Sequence, residues 1–155
     1  MDVFQTAAQI FGLAEVVSGW HATLRKLDAS RRSKVAAYCD TVADTLARAG
    51  EALSVLATSG APDGKKAHAA RALTREIARL KGNLADLAEL LEGELDGRKI
   101  AGVKRRLAGI VERRGVDTLL ARAREPGEVS GLDRRLEMLS EAEGEFRALG
   151  DRLKV

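Results

Sequence analysis

The stretch VAAYCDTVADTLARAGEALSVL, residues 35–56, decides the fold. Its apolar positions are spaced alternately four and three residues apart, which is the repeat of a long helix with one apolar seam. The seam consists of Val35, Cys39, Val42, Leu46, Ala49, Leu53 and Leu56. This spacing predicts a helix over 30–58.

The two ends of this helix carry their own signals. Asp28 or Ser30 can cap its start, because a short polar side chain accepts a hydrogen bond from the first backbone N–H groups. The cluster TSGAPDG, residues 58–64, ends it, since Gly60 and Pro62 do not easily continue a helix. We therefore predict a turn there.

The same seam recurs after the turn, so the second helix pairs with the first in antiparallel fashion. Its positions are Leu73, Ile77, Leu80, Leu84, Leu87 and Leu91. A last stripe follows the turn sequence REPGEVSG, residues 124–131. It comprises Leu132, Leu136, Leu139, Phe146, Leu149 and Leu153. We expect helices over 64–95, 98–123 and 130–154.

Composition supports one helical domain over residues 1–155. Aromatic residues make up only 3 % of the chain and there are two prolines, which disfavours β-strands and excludes an all-β fold. A single cysteine excludes a disulfide within the chain. The fold class expected is an all-α, antiparallel four- to five-helix bundle with an unusually apolar N-terminal helix.

That N-terminal helix, predicted over 1–27, has almost no polar face. Either the other helices wrap it, or it packs on one side and offers the other side to a partner or a bilayer. Gln5, Gln9 and Glu15 dilute the run, so it falls short of a self-inserting transmembrane helix. No targeting signal is recognised, and a cytoplasmic protein is expected.

Basic residues are segregated from this segment. All 26 Lys and Arg residues lie at or after Arg25, although the net charge of the chain is only +3. A group around Lys104, Arg105 and Arg106 can contact the phosphates of nucleic acid or of anionic lipid headgroups. A solvated helix face is the plainer interpretation. Anionic lipid is favoured over nucleic acid as the ligand, because no aromatic residues are interleaved with the Lys and Arg residues.

Catalytic and metal-binding patterns are missing from the sequence. His21 and His68 are far apart, and no Glu-x-x-His pair exists that would build a di-iron site. Cys39 occupies a seam position, where a buried thiol is inert. We expect no enzymatic activity, no cofactor and no metal.

The order of segments resembles a known family. An alanine-rich apolar helix (VFQTAAQIFGLAEVVSGW, 3–20) is followed by a polar step (HATLRKLDASRRSK, 21–34) and the long seam helix of 35–56. This order is similar to fungal HeLo domains, to the N-terminal four-helix bundle of mixed-lineage kinase domain-like proteins, and to bacterial domains of this type. The closing stretch SEAEGEFRALGDRLKV, 140–155, also looks like the end of such bacterial domains.

The resemblance implies a membrane-permeabilising cell-death or immune module. Its first helix would insert after oligomerisation, with the chain moving from the cytoplasm to an anionic membrane and a signalling domain fused or bound to it. The insertion surface would be Val3, Phe4, Ile10, Phe11, Leu13, Val16, Val17 and Trp20. Lipid headgroups would be bound by Arg25, Lys26, Arg31, Arg32 and Lys34. Glu15 weighs against insertion, since a carboxylate in hydrocarbon costs a few kcal/mol. The alternative is a non-enzymatic adaptor bundle that binds a partner helix.

Overall fold

The computed structural model describes four helices and no strand within the residues it places. Described are Gly19 and residues 21–58, 60–92, 98, 101–102, 105 and 128–154. The helices are α1 (His21–Leu24), α2 (Ala29–Ala57), α3 (Asp63–Leu91) and α4 (Glu128–Leu153). The all-α prediction is confirmed for this part of the chain. The predicted helix over 98–123 lies almost wholly outside it, as does the predicted N-terminal helix before Gly19.

The ends of α2 follow the predicted signals. The Asp28 carboxylate accepts a hydrogen bond from the backbone N–H of Arg31 at 2.8 Å, so Asp28, and not Ser30, is the cap. The C-terminal cap is Thr58, and Gly60 adopts a φ of +82°, a conformation that residues with a Cβ rarely adopt. The chain then reverses direction into α3.

The central element is α2, because α3 and α4 both pack along it. Arg48 of α2 pairs with Glu76 of α3 at 3.1 Å, while Arg31, earlier in α2, reaches the carbonyl oxygen of Leu90, later in α3. This order of contacts makes the pair antiparallel.

The contacts between α4 and α2 also show an antiparallel arrangement. Arg147 contacts Asp44 at 3.2 Å, and Lys154, further along α4, contacts the earlier residue Asp40 at 2.6 Å. The hydrogen bond to Asp40 raises the pKa of Lys154. The order of these two contacts along the chain shows that α4 is antiparallel to α2.

The predicted seams form the core. All seven seam residues of α2 and all six of α3 are buried. In α4, Leu139, Phe146, Leu149 and Leu153 are buried, and Leu136 is half-buried against them. Burial of these side chains supplies the main stabilising free energy, at about 1.5 to 3 kcal/mol for each large one.

A charged cluster around the buried Glu76 joins α2 to α3. The Glu76 side chain is only 7 % exposed, and its carboxylate accepts hydrogen bonds from Arg48 Nε at 3.1 Å and from Arg79 Nη1 at 3.0 Å. Arg48 Nη2 also donates to the buried Thr45 hydroxyl at 3.3 Å. Both oxygens of this carboxylate are thus satisfied, as a buried charge requires.

Candidate functional site

The polar step between the apolar N-terminal segment and α2 is anchored at the bundle end. After α1 the chain turns, with Lys26 N–H donating to the Thr23 carbonyl at 3.2 Å and Leu27 N–H donating to the Leu24 carbonyl at 3.1 Å. Leu24 is fully buried and Leu27 is 8 % exposed. These two leucines hold the step against the core, and α1 contacts α4.

Five predicted headgroup-contact residues surround the start of α2. Arg25, Lys26 and Lys34 are exposed, while Arg31 and Arg32 are half-buried. Arg32 Nη1 donates to the Arg25 carbonyl at 3.3 Å, which ties the turn to the first turn of the helix. We call these five residues the basic cluster.

The basic cluster occupies a position that helix electrostatics disfavours. The N-terminus of a helix carries a partial positive charge, so each cation there costs about 0.3 to 1 kcal/mol. Beyond the Asp28 cap, the first turn of α2 contains no carboxylate. Backbone N–H groups and cations together at a helix N-terminus favour an anionic ligand.

Arg31 has a structural contact that sequence reasoning missed. Its Nη2 donates to the Leu90 carbonyl oxygen at 3.5 Å, in the last turn of α3. A cation is favourable at a helix C-terminus, so this contact offsets part of the cost of placing Arg31 at the start of α2. No sequence signal links residues this distant.

Several predicted site residues lie outside the described residues. They are the eight insertion residues from Val3 to Trp20, together with Lys104 and Arg106. Arg105 is described and exposed. The basic cluster is therefore the part of the predicted site whose geometry the structure gives.

Two grooves, which the sequence did not predict, flank the C-terminal half of α2. The first lies between α2 and α3 and has a volume of about 680 Å³. We call it the basic groove because Arg48, Lys65, His68 and Arg75 line it, although Glu51 and Glu76 line it too. The second lies between α2 and α4 and has a volume of about 560 Å³. We call it the acidic groove because Glu51, Glu137 and Glu143 line it, and no Lys or Arg among the described side chains does. Glu51 lines both grooves.

Cys39 provides a check on the packing of α2. Burial, with a smaller contribution from the neighbouring Asp40 carboxylate, raises the pKa of the thiol to about 12. Since the thiolate is the reactive form, we expect Cys39 to resist a thiol reagent at pH 8 in the folded chain and to react fully in denaturant. The stability gained from the neutral thiol is present below its unfolded pKa of about 8.5 and falls as pH rises from there toward 12. Rapid modification without denaturant would contradict this packing.

Metal binding and membrane crossing receive no support from the described residues. Among them, no group of three or more His, Cys, Asp or Glu side chains is placed to hold a metal ion. None of their helices has the length and apolarity needed to cross a bilayer.

Comparison with known proteins supplies no relative. No protein-family model, no curated protein and no solved structure matches this chain. A functional proposal therefore rests on the chain's own residues and on the expected resemblance to the HeLo-type bundles.

Proposed function

We propose that this chain is a membrane-permeabilising effector domain. The apolar segment 3–20 inserts into an anionic membrane, and the basic cluster binds the lipid headgroups beside it. The chain moves from the cytoplasm to the membrane on activation and oligomerises there. A fused or partner signalling domain supplies the trigger.

The observation that carries the proposal is the position of the basic cluster. Five cations surround the N-terminus of α2, directly after an apolar segment without Lys or Arg, and the helix dipole disfavours those in the first turn, Arg31 and Arg32. Lys26 and Lys34 are exposed and form no ion pair with the described residues. An anionic surface would compensate these charges, at about 1 kcal/mol for each residue near the membrane.

The buried leucines of the polar step attach the basic cluster to the bundle. Leu24 and Leu27 fix the step to the bundle core. The basic cluster therefore stays on the bundle while the preceding segment changes its surroundings. On insertion, the apolar surface of segment 3–20 would exchange protein contacts for contacts with lipid. The headgroup contacts of the basic cluster would hold the bundle at the membrane.

Vesicle binding tests the basic cluster. We expect Lys26→Glu with Lys34→Glu to weaken binding of the full chain to vesicles of phosphatidylserine and phosphatidylcholine by at least about 30-fold, because two contacts of about 1 kcal/mol each are lost. Co-sedimentation over a lipid titration measures this. The matched control is Arg71→Glu with Lys81→Glu, the same charge change at two exposed positions of α3. Equal weakening by the control would show nonspecific attraction and contradict the site.

Dye release tests insertion separately. We expect the wild-type chain to release dye from these vesicles and Phe11→Glu to abolish release while retaining most of the binding, because a carboxylate in the insertion surface is costly in hydrocarbon. Phe4→Leu, which keeps the surface apolar, is the control and should release dye. Intact vesicles with the wild-type chain would overturn the proposal, and tight binding of a partner helix would then support the adaptor hypothesis.

A further inference from the structure

The basic groove combines a shallow apolar floor with two cations that are unpaired among the described residues, Lys65 and Arg75, whereas its Arg48 is paired with Glu76 of the same groove. Its floor is Ala52, Val55, Ala69 and Ala72, of which Val55 and Ala72 are only half-buried. Within the described part of the chain, Lys65, His68 and Arg75 form no ion pair. This groove is therefore suited to an apolar surface bordered by carboxylates.

The acidic groove has the opposite charge on a similar floor. Leu46, Ala47, Gly50 and the half-buried Leu136 provide its apolar and small side chains. Glu143 is paired with Arg147 at 3.0 Å, whereas exposed Glu137 forms no ion pair with any described residue. This groove is suited to an apolar surface bordered by cations.

The two grooves lie side by side on one face of the molecule. The α2 residues that line them fall within the same stretch, 46–55, and Glu51 belongs to both. A rotation of 180° about an axis parallel to α2 exchanges the two sides of this face. It would bring the basic groove of each copy over the acidic groove of the other.

We propose that a second copy of this chain docks on this face, forming a two-fold dimer in which basic and acidic grooves meet twice. A foreign acidic helix would account for the basic groove alone, whereas a second copy accounts for both charges and for their common position along α2. The contact would bury the half-exposed Val55, Ala72 and Leu136. This dimer goes beyond the proposed membrane activity, because it forms between resting chains in solution.

Charge reversal of either groove tests the dimer. Sedimentation equilibrium of the full chain at low salt should give twice the 16.6 kDa chain mass, with dissociation as salt is raised. We expect Lys65→Glu with Arg75→Glu, which makes both grooves acidic, to weaken self-association at least tenfold. Glu137→Lys with Ser140→Lys and Glu143→Lys places three lysines against Glu51 in the acidic groove, which makes both grooves basic and should weaken self-association similarly.

Mixing the two reversed variants gives the decisive result. Each repels itself but complements the other, so an equimolar mixture should recover the dimer mass. Lys26→Glu with Lys34→Glu is the control, since it changes the net charge as much as Lys65→Glu with Arg75→Glu but lies outside the face, and it should still dimerise. A wild-type chain that stays monomeric at all concentrations, reversals that leave the mass unchanged, or a mixture that stays monomeric would each overturn the proposal. Circular dichroism of every variant identifies loss of the dimer through unfolding. Vesicle leakage is unaffected by this outcome, so the two proposals fail separately.

Discussion

Replacing Gly150 by leucine is expected to lower the free energy of unfolding by about 3 kcal/mol, because no side chain larger than a methyl group fits where α4 crosses α2. A Cβ at this position would lie 2.9 Å from Asp40 Oδ1, 3.3 Å from the Ala36 carbonyl oxygen and 3.4 Å from Cys39 Cβ. Asp40 can rotate away, but the backbone of α2 cannot. The larger side chain would therefore push the two helices apart. Urea denaturation followed by circular dichroism measures the change.

Two matched substitutions separate crowding from helix propensity. Gly144 lies on the same helix, and an added Cβ there meets open space, so Gly144→Ala should stabilise the chain by up to about 1 kcal/mol. Gly150→Ala gains the same propensity but must displace Asp40, which also binds Lys154, so it should be close to neutral. A stable Gly150→Leu chain would show that α4 does not approach α2 this closely.

The periodic seams made the helices predictable from sequence. Leucines and valines at alternating spacings of four and three identify α2 and α3, and the Gly60 and Pro62 turn gives their antiparallel order. Each signal is local or repeats over many residues. Such signals survive in the folded chain because tertiary packing uses the same apolar face.

The central position of α2 was not predictable in the same way. Its buried surface extends beyond the seam to Ala36, Ala43, Thr45 and Ala52, because it packs against α3 on one side and α4 on the other. Alanine carries a weak hydropathic signal and is equally common on exposed helix faces. The close approach at Gly150 is likewise a property of two helices together.

One part of the candidate site, the basic cluster, was predictable from the sequence, whereas the grooves were not. Residues 25–34 could be singled out as basic because they are close in sequence, and the structure gathers them around one helix N-terminus. The grooves required knowledge of which side of α2 each neighbouring helix occupies. The same applies to the pairing of Arg48 with Glu76, 28 residues away.

Phe146→Ala is expected to cost about 3 to 5 kcal/mol of unfolding free energy. This ring is the largest fully buried side chain among the described residues, and its removal leaves a cavity. Leu136→Ala, at a half-buried position of the same helix, should cost clearly less. Thermal and urea denaturation compare the two. Equal costs would show that the ring is not packed as described.

The same substitution connects the bundle's stability to its proposed activity. The apolar segment is joined to the core through α1, which contacts α4. Loosening α4 therefore weakens the attachment of α1 to the core. If the proposed insertion requires such loosening, Phe146→Ala should release vesicle dye at a lower protein concentration than the wild-type chain. Adding Phe11→Glu to this variant should abolish the gain. Dye release that persists in the double variant would mean that an unfolded chain, and not the N-terminal segment, disrupts the vesicles.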